Sequence, residues 1–515
     1  MLQIFQNHKI RSRATSSKIS TFNPIHFSNY PLIVQIPDLM KNKSFKTPNL
    51  RSSIIFALLF SVGIHCLSGQ NIEGNWYGAL EIQGIKLRLV FHINSSDTGL
   101  TAVMDSPDQG AFGIPATKVE FEKPDVVLEV SNIGIVYSGT LEQDVISGVF
   151  KQGPLEMPLI LSKTEPNREI TTRPQEPKEP LPYVVEDIFF DNPKDQIKLA
   201  GTLTLPESQD EFPMVILISG SGPQNRNEEL MGHKPFLVLA DYLTRNGIGV
   251  LRFDDRGVGQ SEGDFGQATS ADFAQDVSSA VSYIRSRTDI KTTKIGLIGH
   301  SEGGLIAPMV AAEDSTLDFI VLMAGPGVSG GEILRLQTED IAKANGMNEA
   351  QIAKELKLLN IFLEELSQEQ DLEAIKLDLA SELEKAFTAD SNLLSEGVTL
   401  QSYTESALKQ VTPWMHYFLM HNPKPYLEAV TCTVLAINGS KDLQVAPGIN
   451  LKAIKEALDS GGNKAVTLSE LPGLNHLFQE STTGSPSEYA QIEQTFSPVA
   501  LKVISDWILL QVTRD

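Results

Sequence analysis

The sequence predicts an α/β fold, a mostly parallel sheet with helices on both faces, which carries a helical insert and follows a small antiparallel β domain. Three observations carry this prediction. Residues 70–163 alternate apolar and polar over short runs broken by Gly, Asn, Asp and Pro, the period-two pattern of strands with one buried face. From about Tyr183, short apolar runs alternate with helical stretches, as in buried parallel strands joined by crossovers. Between Gly330 and roughly Ala429 that alternation stops, and Leu, Glu, Lys and Ala recur at helical spacing.

The chain has 515 residues, enough for two or three domains. Residues 54–64 form a short apolar run behind Lys41, Lys43, Lys46 and Arg51, with small residues after it. This is the pattern of a signal peptide, 40–69, short for a membrane span, with an uncleaved N-terminal anchor as the alternative. Met40 is a natural initiator for it, so residues 1–39 read as a disordered extension or an over-long start. The expectation is an exported protein, periplasmic or secreted, with no stable membrane insertion after cleavage. The formal net charge is −22, and removing 1–69 leaves about −29. That balance argues against nucleic acid and anionic membrane as partners. Only Cys432 then remains, so no intramolecular disulfide is expected; its apolar run reads as a core position.

Within 70–163, Lys86–Ile93 and Val126–Val130 are strands of a barrel or sandwich. The opening Gly74-Asn75-Trp76 is a weak lipocalin-like signature, and Trp76 reads as a core plug rather than a ligand platform. Residues 164–183 carry five prolines among charges, an extended, semi-rigid linker. The α/β domain then runs 184–515. Its leading strands, 185–190 and 198–205, read as an antiparallel edge. The buried strands are 214–218, 249–253, 295–298, 319–323, 434–437 and 465–468, with helices at 236–246, 270–287 and 499–511. The insert, about 330–429, interrupts this series as a cap.

Gly299-His300-Ser301-Glu302-Gly303 lies between the apolar run 294–298 and a helical stretch. Strand, G-x-S-x-G, helix is the context of a nucleophile elbow, in which a sharp turn exposes the central serine. A serine hydroxyl needs an imidazole to take its proton and a carboxylate to orient the imidazole. His476 follows the final strand, and Asp442 closes the strand before it in Asn438-Gly439-Ser440-Lys441-Asp442. The oxyanion hole needs two backbone N–H groups. One is assigned to Glu302; the other falls in Ser219-Gly220-Ser221-Gly222-Pro223, at Ser221 or failing that Gly222. Trp414, Phe418 and Met420 in the insert are either apolar walls of the substrate pocket or cap-core residues. The Asp254-Asp255-Arg256 cluster reads as ion pairs pinning a loop. No metal or nucleotide motif appears.

Residues 183–515 resemble the α/β-hydrolase superfamily. The likeness rests on the Gly299–Gly304 elbow, the Asp254-Asp255-Arg256-Gly257-x-Gly259-x-Ser261 turn, the Gly439-x-x-Asp442 acid and Asn475-His476. Ser219–Asn227 and Pro413-Trp414-Met415-x-Tyr417-Phe418 are similar to bacterial esterases of the EstD type, grouped with serine aminopeptidase-like hydrolases. The resemblance implies a carboxylesterase acting on short acyl esters of small molecules, without a cofactor, through Ser301, Asp442 and His476. The alternative is a serine exopeptidase on short peptides, with Glu228, Glu229 or Glu302 holding the free amine. A third reading is a non-catalytic binding protein on a hydrolase scaffold.

Overall fold

The computed structural model describes residues 72–512, apart from 83–84, 97–98, 108–110, 132–133, 153–154, 166–172, 208–210 and 395–398. The expected extension (1–39) and signal segment (40–69) lie outside the described residues. Among the described residues, no helix is long and apolar enough to cross a membrane.

Nine antiparallel strands follow in order: β1 (Gly74–Ile82), β2 (Ile85–Ser96), β3 (Gly99–Ser106), β4 (Ala111–Pro115), β5 (Lys118–Glu122), β6 (Asp125–Val130), β7 (Ile135–Glu142), β8 (Val145–Gln152) and β9 (Leu155–Ser162). Their order in the sheet is β4-β3-β2-β1-β9-β8-β7-β6-β5. Neighbours in sequence are neighbours in space, and the first strand pairs with the last, which is an up-and-down barrel opened between β4 and β5. The Ala116-Thr117 link straddles that seam, with Ala116 N–H on Ala102 O of β3 and Thr117 N–H on Glu129 O of β6. The inward residues, Trp76, Phe91, Leu128, Tyr137 and Phe150 among them, form one core. Trp76 is fully buried and its indole N–H donates to Ile72 O at 2.6 Å.

The linker's second half is strapped to the domain that follows. Gln175 accepts from Thr495 N at 2.7 Å and Phe496 N at 3.1 Å, while Arg173 donates to the carbonyls of Met231, Ala490 and Ile492.

The second sheet contains β10 (Tyr183–Asn192), β11 (Ile197–Pro206), β12 (Phe212–Ile218), β13 (Gly249–Phe253), β14 (Thr292–His300), β15 (Phe319–Met323), β16 (Thr433–Gly439) and β17 (Val466–Leu471). Their order is β10-β11-β13-β12-β14-β15-β16-β17. The pairs β10–β11 and β11–β13 are antiparallel and the rest parallel, so the expected antiparallel edge on a mostly parallel sheet is present. Strand alternation assigns the two faces. Met214, Ile216 and Ile218 enter one core with α2 (Ser270–Ser286), while Val215 and Leu217 enter the other with α1 (Pro235–Arg245) and α11 (Pro498–Val512).

Between β15 and β16 lie α4 (Gly330–Ala344), α5 (Glu349–Leu366), α6 (Leu372–Ala389), α7 (Leu400–Lys409), α8 (Pro413–Met420) and α9 (Lys424–Ala429). Side-chain caps start several of them: Asn348 for α5, Asp371 for α6, Thr399 for α7 and Thr412 for α8. Cys432 is half-buried just before β16, and burial pushes its thiol up to about 12.

Candidate active site

Ser301 sits between β14 and α3 (Glu302–Glu313) with φ +53° and ψ −116°. A non-glycine residue in that region is strained by roughly 1–3 kcal/mol and is held there by its surroundings. The Ser301 N–H donates to Met323 O at 2.9 Å, and its carbonyl accepts from Gly304 N at 2.9 Å. The flanking glycines are steric requirements. A Cβ on Gly299 would stand 2.0 Å from Gly303 O, and one on Gly303 would stand 2.1 Å from Ile218 O of β12.

Asp442 and His476 meet at the end of the same sheet. His476 Nδ1 lies 2.8 Å from Asp442 Oδ2. Asp442 Oδ1 accepts from the backbone N–H of Gln444 at 2.8 Å and Val445 at 2.9 Å. Both side chains are buried. The loop carrying His476 is shaped by Asn475, whose Oδ1 accepts from Leu477 N and Gln479 N at 3.0 and 2.9 Å.

The loop after β12 carries the Ser221 and Gly222 assigned to the oxyanion hole. Gly222 has φ +97° and Ser221 is exposed. In this loop Gly220 approaches the nucleophile: a Cβ there would stand 3.2 Å from Ser301 Cβ. Its N–H is already donated to Glu228 Oε1 at 2.8 Å. Glu228 is buried and also receives His300 Nδ1 at 2.9 Å.

Glu302, the residue after the serine, turns a buried carboxylate away from solvent. It accepts from Ser270 Oγ at 2.6 Å and from the Trp414 indole at 2.7 Å. Burial raises its pKa, against these two bonds. Burial likewise holds Asp255 well above the usual carboxylate range, against bonds from Ser219 Oγ and Gln224 N. A cavity of about 10 Å³, room for about one water, is bounded by Ser219, Gly220, Asp255 and Glu302.

The neighbouring charges pin loops. Arg226 grips Asp254 at 2.7 Å, and Arg256 grips Asp276 at 2.7 Å and Asp195 at 2.8 Å. Burial works to raise the Asp254 pKa, and the bonds from Arg226 and Gln260 override it.

The three aromatic and sulfur side chains of the cap separate. Trp414 is tied to the elbow through Glu302. Phe418 stacks on Trp414 with ring centres 5.2 Å apart, is buried and presses on Gly330, so it packs the cap core. Met420 ends α8 and is 45% exposed. The remaining histidines are structural by their contacts. His233 is enclosed by Tyr489 O, Thr495 Oγ1 and Gln479 Nε2, and burial lowers it to about 4. His416 meets Leu366 O at 2.7 Å. His421 stacks on Tyr426, and burial lowers it to about 4.

What sequence reasoning missed is the carboxylates' internal partners. Glu228 and Glu302 stood out only as acids near a motif, and neither the Glu228–His300 nor the Glu302–Trp414 contact has a local signature.

Residues 234–480 match the family model described as serine aminopeptidase, S33. Esterase EstD of Thermotoga maritima is 30% identical over 139 residues, 27% of this chain and 33% of that protein. The chain thus spans about a third of EstD's length. An uncharacterized 31.7 kDa protein from the traX-finO intergenic region of Escherichia coli is 26% identical over 270 residues, 51% of this chain and 84% of that one. Among solved structures, an esterase of Pyrococcus furiosus is 17% identical with a TM-score of 0.39, covering 67% of this chain and 97% of its own. Proline iminopeptidase of Mycobacterium smegmatis is 14% identical with a TM-score of 0.38, covering 64% and 99%. The strand order and the strained elbow serine are those of an α/β-hydrolase fold, and residues 234–480 of it are similar to the serine aminopeptidase, S33 family.

Proposed function

We propose that this protein is an exported serine carboxylesterase that cleaves short-chain acyl esters of small molecules. The observation that carries the reading is a serine held at φ +53° on the sheet that also carries a buried His476–Asp442 pair 2.8 Å long. Asp442 fixes the tautomer with the proton on Nδ1, so Nε2 is the nitrogen that takes the Ser301 proton. Ser301 Oγ then attacks the ester carbonyl. The developing oxyanion is met by the Glu302 N–H at the start of α3 and by the Ser221 N–H, since that of Gly220 is taken up by Glu228. His476 returns the proton to the departing alcohol, and water resolves the acyl-enzyme by the same route.

An ester is favoured over a peptide with a free amine by the state of the acids. An exopeptidase needs an unengaged carboxylate beside the nucleophile. Of the three candidates, Glu228 is occupied by Gly220 and His300 and Glu302 by Ser270 and Trp414; Glu229 is exposed, with Asn225 Nδ2 at 3.5 Å, and is the acid left to the exopeptidase reading. Export rests on the signal pattern of residues 40–69.

The test is hydrolysis of p-nitrophenyl esters from acetate to decanoate, with aminoacyl arylamides alongside. Turnover strongest on short acyl chains, abolished in Ser301→Ala with an unchanged melting temperature, is the expected result. Arylamide cleavage exceeding ester cleavage overturns the esterase reading in favour of the exopeptidase; an inert, folded wild type overturns both.

A further inference from the structure

Behind the His476–Asp442 pair stands a second histidine–carboxylate pair that the proton relay does not use. His300 Nδ1 is 2.9 Å from Glu228 Oε1, and His300 Nε2 is 2.9 Å from the carbonyl oxygen of His476. A carbonyl only accepts, so Nε2 carries a proton. Glu228 Oε1 already accepts from the Gly220 N–H, and with Glu228 ionised its contact with Nδ1 places a proton there too. An imidazole with both nitrogens donating is an imidazolium, and a carboxylate in contact is what stabilises it once buried. Burial alone would lower the His300 pKa; the charge and hydrogen bond of Glu228, with the His476 carbonyl and Asp442, raise it instead.

The position of this pair matters more than its charge. Three loops from three strand ends meet there: Gly220 after β12, His300 at the end of β14 beside Ser301, and His476 after β17. A Cβ on Gly220 would stand 3.2 Å from Ser301 Cβ, 3.3 Å from Glu228 Oε1 and 3.6 Å from His300 Nδ1. The His300 and His476 rings lie 4.9 Å apart. Glu228 holds this place with φ +51°, a conformation a non-glycine residue keeps only when its neighbours enforce it.

We propose that Glu228 and His300 form a buried ion-paired positioning dyad that sets the oxyanion loop and the His476 backbone against Ser301. The dyad touches no reacting atom. It rests on the hydrolase reading above, and it acts on the chemical step rather than on substrate affinity.

The test uses the full chain and p-nitrophenyl acetate. Glu228→Gln, His300→Gln and the double variant keep shape and remove the ion pair. The expected result is a fall in kcat of about 100-fold in each single variant, as for ångström-scale misplacement of reacting groups. KM stays within about threefold, and the double variant is no slower than either single one, because the two act as a unit. Equal kcat in wild type and variants, or a loss confined to KM, or singles that multiply in the double, overturns the proposal. A folded wild type inert on both esters and aminoacyl arylamides overturns the hydrolase reading itself, and the dyad's role falls with it. A measurement independent of variant folding is ¹⁵N-histidine NMR of the wild type at pH 7.5. His300 is expected to show two protonated ring nitrogens, and a ring with one N–H overturns the ion pair.

Discussion

Two histidine–aspartate pairs of equal length sit in the two halves of this molecule. In the barrel, His92 Nε2 is 2.8 Å from Asp105 Oδ2; beside the elbow, His476 Nδ1 is 2.8 Å from Asp442 Oδ2. The barrel pair has side-chain exposures of 30% and 20%, and the elbow pair 6% and 0%. His92 also places its other nitrogen 2.8 Å from Asn75 Oδ1, so both ring nitrogens are engaged. It lies on the outer face of β2, between the inward-facing Phe91 and Ile93. His476 instead shares its strand ends with a strained serine, and its carboxylate is fixed by two backbone amides. The difference teaches that distance alone does not make a relay. Burial and a carboxylate fixed by two backbone amides set the second pair apart, as the proposed relay requires.

The comparison breaks first at the chemical step. His476→Ala is expected to lower ester kcat by at least ~10⁴-fold, measured against wild type with folding checked by circular dichroism. Next comes independence of the halves. Trp76→Ala removes the plug of the barrel core and is expected to destabilise that domain by about 3–5 kcal/mol. Calorimetry should show the barrel transition shifted down while ester turnover stays. Loss of turnover in step with the barrel would show the halves to be coupled.

A third histidine sharpens the role of burial. His233 is fully buried among Tyr489 O, Thr495 Oγ1 and Gln479 Nε2, and burial lowers its pKa from 6.5 to about 4. Between those values the unfolded chain binds the extra proton, so this contribution is fully present above pH 6.5 and is lost as pH falls toward 4. His421 has the same sign. His233→Gln should therefore flatten, without abolishing, the fall in urea midpoint between pH 6.5 and 4, by on the order of 1–3 kcal/mol. A slope identical to wild type would remove His233 from the account. The smallest effect belongs to the barrel pair. His92→Ala should change stability by under about 1 kcal/mol and leave turnover unaltered; a drop in turnover would give the barrel a part in the chemistry.

The legible elements were those whose signal is local. The apolar run 214–218 is a strand because both faces of β12 are buried, and the structure adds only Phe212 and Pro213 at its start. The edge strand β17 was less legible. It runs Val466–Leu471, through the half-exposed Ser469 and exposed Glu470, where the sequence suggests 465–468, because an edge strand needs no continuous apolar run to keep its backbone pairing. Trp414, Phe418 and Met420 share one short helix, yet one meets the elbow, one fills the cap core and one faces water. Residues on eight positions of helix point in all directions, and which direction meets the elbow depends on how α8 docks.

The sequence by itself determined the two-part architecture, the elbow, and the placing of Ser301, Asp442 and His476 after successive strands. Each follows from a short-range pattern: period two against period 3.6, glycines where backbones must touch, and strand-end positions for chemistry. Tertiary structure alone decided what the buried acids do. Glu228 meets a histidine 72 residues away, that histidine meets a carbonyl 176 residues further on, and Glu302 meets an indole 112 residues beyond it. Such partners are chosen by the desolvation penalty of a buried charge. That penalty exists only once the sheet has closed around it, so no window of sequence contains it.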